Sequence, residues 1–140
     1  MDAGRKAVVV TTVVFACVHN AGRSQMAAAF FNQRCDPARA RAISAGSEPG
    51  ARLHPEVVAA MAEVGIDLSS ARPQKLSPAL LEGAGWLITM GCGDACPTAS
   101  DVARDDWALP DPKSQPMERV RAIRDEIRGR VAAFVAENRL

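Results

Sequence analysis

Much of what marks other protein classes is missing from this sequence. No apolar stretch approaches the ~18 residues of a membrane-spanning helix. The most apolar run, AVVVTTVVF from Ala7 to Phe15, is far shorter. An excess of charge of one sign is missing too: 17 Lys and Arg against 16 Asp and Glu leave a formal net charge of +1. Neither nucleic acid nor an anionic membrane surface is implied as a partner by that balance. The one arginine-rich stretch, Arg34 to Arg41 (RCDPARAR), reads as a solvated turn. Internal repeats, low-complexity tracts and linkers are absent, so residues 1–140 read as a single domain. MDAGRK ahead of the apolar run could suggest a secretory leader. A cysteine-bearing loop stands where a cleavage site would, however, and the run reads better as a buried strand. The expectation is a cytoplasmic protein, in which four cysteines are reactive or metal-binding thiols rather than structural disulfides.

What is present is an alternation of apolar strands and amphipathic helices. Residues 7–15 predict a strand, and Ser24 a helix cap for a segment running to about Arg34, stopped before Pro37. Arg39 to Ser44 predicts a second strand ended by Ala45-Gly46. Pro55 opens a helix through Val57, Val58, Met61 and Val64, with Gly65 closing it. Ser77-Pro78 starts a short helix, Trp86 to Met90 a third strand, and Trp107-Ala108-Leu109 a short fourth. Val120, Ile123, Ile127, Val131 and Phe134, spaced 3, 4, 4 and 3, predict an amphipathic helix packed on a sheet. The pattern implies a three-layer α/β fold with a four-stranded parallel sheet flanked by helices.

The chemistry concentrates in FACVHNAGRSQMA, Phe15 to Ala27. Ligands of open α/β sheets bind beyond the C-terminal ends of the strands. Cys17 falls at such an end, directly before a helix N-terminus, where unpaired N–H groups and the positive dipole end attract anions. That field favours an ionised sulfur. Residues Cys17, Val18, His19, Asn20, Ala21, Gly22, Arg23 and Ser24 would wrap an oxyanion, with Asn20 and Gly22 taking the positive φ such a loop needs. Arg23 supplies a planar fork matched to a tetrahedral anion, and Ser24 a hydroxyl for the sulfur.

On these residues the chain resembles the low-molecular-weight protein tyrosine phosphatase superfamily, whose signature is C-x5-R-S. It is most similar to the arsenate reductase branch. The likeness continues through Ser44-Ala45-Gly46, Gly65 to Ser69, Leu87 to Met90, Cys96-Pro97, Trp107 and Asp111-Pro112. The resemblance implies Cys17 as the nucleophile attacking arsenic, Arg23 as the oxyanion clamp, Asn20 as the keeper of the loop's shape, and Asp111 as the general acid. Phosphate or sulfate would bind as analogues of arsenate. It further implies that a second thiol completes the two-electron reduction. Cys96 matches one resolving position, Cys92 is offset by Gly91, and GCGDACP looks like a variant served by mycothiol. No bound cofactor is implied, but an external reductant is: thioredoxin, or mycothiol with a glutaredoxin-like partner. Ala28 stands where some relatives carry a glutamate at an alkali-metal site, although Asn20, Ser44 and Asp67 match its other contributors. No metal site is assigned.

Other readings stay open beside this one. Cys92 and Cys96 could pack or bind zinc, though C-x3-C without a second pair is poor ligand spacing. Cys35 reads as a small buried or half-exposed thiol, His54 as structural, and His19 as a loop side chain facing solvent or adding a donor. The charged residues of the last helix read as a solvated face with i,i+3 and i,i+4 pairs. The cradle would equally serve a phosphatase. Against that, Lys113 and Ser114 follow Asp111-Pro112 where the family's phosphatases have tyrosines, and this chain has no tyrosine at all. A non-catalytic oxyanion- or thiol-sensing module is the remaining alternative.

Overall fold

The computed structural model describes residues 10–91 and 102–140; Cys92 and Cys96 lie outside them. The elements run β1 (Thr11–Cys17), α1 (Arg23–Arg34), β2 (Ala40–Gly46), α2 (Pro55–Glu63), a 3-10 turn (Ala79–Leu81), β3 (Trp86–Thr89), β4 (Ala103–Asp106) and α3 (Met117–Asn138). The strands form one sheet in the order β2-β1-β3-β4, and every pairing is parallel. This is the expected α/β architecture.

Alternation along β1 divides the core. Val13, Phe15 and Cys17 face the side covered by α1, α2 and α3, with Met26, Phe31, Val57, Met61, Ile127 and Val131 packed there. Val14 and Ala16 face the other side, under Leu76, Leu81 and Leu87. The predicted stripe on α3 is the buried one: Val120, Ile123, Ile127, Val131 and Phe134 are all no more than 6% exposed. Fully burying one such side chain contributes roughly 1.5–3 kcal/mol.

Three local expectations are corrected. Strand β1 continues to Cys17, which pairs with Gly46, so the thiol is the last residue of the strand. Ser24 does not cap α1. Gly22 occupies the cap position, and Ser24 lies inside the first turn, fully buried. The fourth strand is ARDD, Ala103–Asp106, an exposed edge strand, rather than Trp107 to Leu109. The apolarity of Trp107 serves core packing instead: its ring lies 5.6 Å from Phe15 and 6.0 Å from Phe134. This edge strand is exposed at all four positions, so ARDD carries none of the alternation that identifies a strand in sequence.

The solvated face of α3 is also less simple than i,i+4 pairing. Arg121 and Arg124 both reach across to Glu63 at the end of α2, at 2.7 and 2.8 Å. Arg130 does pair with Glu126 one turn away.

Candidate active site

Between the end of β1 and the start of α1 the backbone makes a tight loop, and its hydrogen bonds reveal which way it faces. The carbonyls of Cys17, Val18 and His19 accept the N–H groups of Ser47, Glu48 and Gly50. That of Asn20 accepts Gln25 Nε2, that of Ala21 the N–H of His54, and that of Gly22 the N–H of Met26. Six consecutive carbonyls are thus turned outward and satisfied. The amides of residues 18–22 donate to no acceptor among the described residues, which leaves their hydrogens available to an anion. Buried backbone donors seek acceptors. A ring of inward N–H groups at a helix N-terminus is the physical definition of an anion cradle.

Asn20 makes the turn possible with φ 51, a left-handed conformation that Asn adopts more readily than most residues. Gly22 does not share that role, since its φ is −148. Its need for glycine is one of space: a β-carbon there would stand 2.9 Å from Pro112 Cγ and 3.4 Å from His54 Cδ2.

At the floor of the cradle Cys17 is 2% exposed, with its Sγ 2.9 Å from Ser24 Oγ. The direction of that bond follows from its neighbours. Asn20 Oδ1 accepts the main-chain N–H of Gln74 at 3.0 Å, which fixes the orientation of the amide. Nδ2 of Asn20 therefore donates to Ser24 Oγ, at 2.7 Å. Toward an ionised Cys17 sulfur, which has no hydrogen to give, Ser24 then donates its own. Gln25 Nε2 completes the support, donating to Asn20 Oδ1 and to the carbonyls of Asn20 and Arg72 at 3.1–3.2 Å. Gln25 and Gln74 carry no chemistry of their own, and reading the sequence for reactive side chains passed over both. A buried carboxamide on the first turn of α1 was the available signal.

Arg23 is 8% exposed. Its Nη1 donates to Leu109 O at 3.1 Å, and Nη2 lies 3.8 Å from Asp111 Oδ2. Asp111, on the segment after β4, is thus brought to the cradle as expected, with its side chain 41% exposed. His19 is half-buried, and Nδ1 donates to Glu48 O at 3.0 Å, so it braces the loop. Burial lowers the pKa of His54, and the nearby Asp111 carboxylate partly offsets this. Cys35 is buried away from the cradle, bonded to Ala40 O at 3.3 Å, and burial pushes its thiol up. Of the residues matched to an alkali-metal site, Asn20 spends its carboxamide oxygen on Gln25 and Gln74. Asp67 is exposed and accepts the N–H of Ser69. Cys92 and Cys96, expected as resolving thiols, lie outside the described residues.

A thiol, an arginine and amides without an acceptor among the described residues stand together at one strand end of a parallel sheet. The chain belongs to the low molecular weight phosphotyrosine protein phosphatase family, whose model matches residues 12–139. A protein of Halobacterium salinarum named "Putative arsenate reductase" is 42% identical over 127 residues, 88% of this chain and 89% of that protein. The glutaredoxin arsenate reductase of Synechocystis sp. is 32% identical over 128 residues, covering 89% of this chain and 96% of the relative. Among solved structures, the thioredoxin-dependent arsenate reductase of Corynebacterium glutamicum superposes with a TM-score of 0.80 at 35% identity. That alignment covers 96% of this chain but 64% of the longer one.

Proposed function

We propose that this chain reduces arsenate to arsenite, using Cys17 as nucleophile and thiols as the source of electrons. The observation that carries the reading is the run of six outward carbonyls, which leaves the inner amides and Arg23 aimed at one oxyanion above the Cys17 sulfur. The family alone leaves both phosphate-ester hydrolysis and arsenate reduction open. Relatives named as arsenate reductases along nearly the whole chain favour the second. The lack of any tyrosine beside Asp111-Pro112 favours it further.

The steps balance as follows. The Cys17 thiolate attacks arsenic(V), forming an S–As bond. An arsenic-bound hydroxyl departs as water once Asp111 delivers a proton. A second thiolate then attacks the Cys17 sulfur. The electron pair of the S–As bond passes to arsenic, which leaves as arsenite, and the two sulfurs are left as a disulfide. That second thiol is Cys92, Cys96 or an external low-molecular-weight thiol such as mycothiol. An external reductant, of thioredoxin or glutaredoxin type, restores the dithiol. Ser24 and the inward amides stabilise the thiolate before attack, and Arg23 neutralises the oxyanion during it.

Turnover measured with arsenate and separately supplied thioredoxin or mycothiol systems tests the reading. Arsenite should form with one of them. Cys17→Ser should abolish that turnover while phosphate still binds. Hydrolysis of an aryl phosphate without arsenite from any donor would overturn the assignment in favour of a phosphatase. If Cys92→Ser and Cys96→Ser both leave turnover intact, the second thiol is external.

A further inference from the structure

The aim of Arg23 depends on a residue that has no side chain. Strand β3 lies parallel to β1 with Thr89 opposite Ala16, and Met90 N donates to Ala16 O at 2.7 Å. Continuing the register sets Met90 beside Cys17 and Gly91 beside the start of the cradle. Gly91 has φ +99, and a β-carbon built on it would stand 2.5 Å from Arg23 Nη1 and 3.5 Å from its Cζ. Ordinary contact begins at 3.4 Å, so the guanidinium would have to move by about one ångström. It is poorly placed to do so. The Arg23 side chain is only 9% exposed, Nη1 is held by Leu109 O at 3.1 Å, and Nη2 faces Asp111. A shift that makes room for a β-carbon therefore takes the fork away from Leu109 O and Asp111, the two groups that hold it. Misplacement by about 1 Å is enough to cost as much as 10²-fold in function.

We propose that Gly91 is a positioning residue for oxyanion binding: its missing β-carbon forms the seat that aims the Arg23 guanidinium over the Cys17 loop. The proposal rests on the reading of Arg23 as the oxyanion clamp.

Backbone strain and steric displacement can be separated because the fold supplies a control. Gly83 has φ +76 but nothing within 4 Å of a built β-carbon. Gly83→Ala thus introduces left-handed strain without touching Arg23, whereas Gly91→Ala introduces both. The readouts are the Kd for inorganic phosphate, by calorimetry, and the KM for arsenate. Gly91→Ala should raise both about tenfold or more, the scale of losing one hydrogen bond to a charged group. Gly83→Ala should leave both unchanged while lowering the melting temperature comparably. Gly91→Asn, which tolerates positive φ better but still carries a β-carbon, should weaken phosphate as Gly91→Ala does and serves if the alanine variant fails to fold. Phosphate affinity at the Gly83→Ala level in a folded position-91 variant overturns the proposal. Arg23→Ala measured alongside isolates the underlying reading. If it binds phosphate as tightly as the parent, the clamp itself is wrong. If it loses phosphate while the position-91 variants retain it, only the role of Gly91 falls.

Discussion

The two segments that meet over Cys17 are built in opposite ways. Loop 17–24 is mostly buried, its carbonyls from Cys17 to Gly22 are tied to the segment after β2, to α1 and to the approach to α2, and its asparagine is pinned by Gln74 from a fourth segment. The 107–112 segment is anchored at one end by Trp107, 6% exposed among the aromatic rings, and then emerges toward solvent. Asp111 accepts the N–H of Lys113, two residues on, at 3.0 Å and faces Arg23 at 3.8 Å. Pro112, laid against Gly22, is the apolar contact between the two. The difference follows from the jobs proposed for them. An oxyanion must be held from binding to product release, and fixed dipoles do that without reorganising. A proton is delivered once per turnover and must be replaced from water, which requires an accessible carboxyl.

If that division is real, chemistry and binding should come apart on substitution. Asp111→Asn should lower kcat for arsenate reduction by 10²–10⁴-fold, the usual worth of a positioned general acid. The Kd for phosphate should not rise, because the substitution removes a negative charge that faces Arg23. Steady-state kinetics and phosphate calorimetry on the same protein check this. Equal losses of binding and turnover would show that the two segments work as one, and the contrast would be lost.

The loop should prove sensitive to groups that never meet the substrate. Gln25→Met keeps the volume and removes an amide whose two N–H groups are shared among Asn20 Oδ1 and the carbonyls of Asn20 and Arg72. Each such bond is worth about 0.5–1.5 kcal/mol net. With Ser24 less well oriented, alkylation of Cys17 by iodoacetamide at neutral pH should slow roughly three- to tenfold. Peptide mass spectrometry can follow Cys17 apart from the other cysteines. An unchanged rate in a folded variant would mean that Gln74 alone holds the asparagine.

That asymmetry also explains what the sequence could disclose. Cys17, Arg23, Ser24 and Asp111 were legible because their types and spacing are dictated by the reaction. The alternation of β1 and the 3, 4, 4, 3 stripe of α3 were legible because burial dictates them. Gln25, Gln74 and Gly91 were not: Gln25 spends its amide on the loop's own acceptors, Gln74 acts through its main-chain N–H, and the role proposed for Gly91 is an empty volume. Strand β4 was missed for a related reason. ARDD is held by main-chain bonds to β3 and has no buried face to impose a pattern, while Trp107, beside it, attracted the assignment by its apolarity.

Far from both segments, the α2–α3 clamp gives the smallest expected effect and the sharpest negative control. Hydrogen bonds from Arg121, and then from Arg124, hold the Glu63 carboxyl down to about 2. Because the folded value lies below the unfolded one of 4.5, the clamp's contribution is complete above that value. It fades as pH falls from there toward 2. Glu63→Gln should therefore melt slightly below the parent at pH 7, and the two melting curves should converge as the pH approaches 2. Added salt should narrow the neutral-pH gap as well, since the carboxylate is partly exposed. Arsenate turnover at pH 7 should not change. A melting difference that persists at pH 2 would mean that Glu63 acts by packing rather than by charge. A loss of turnover would mean that the helix layer reaches the cradle after all.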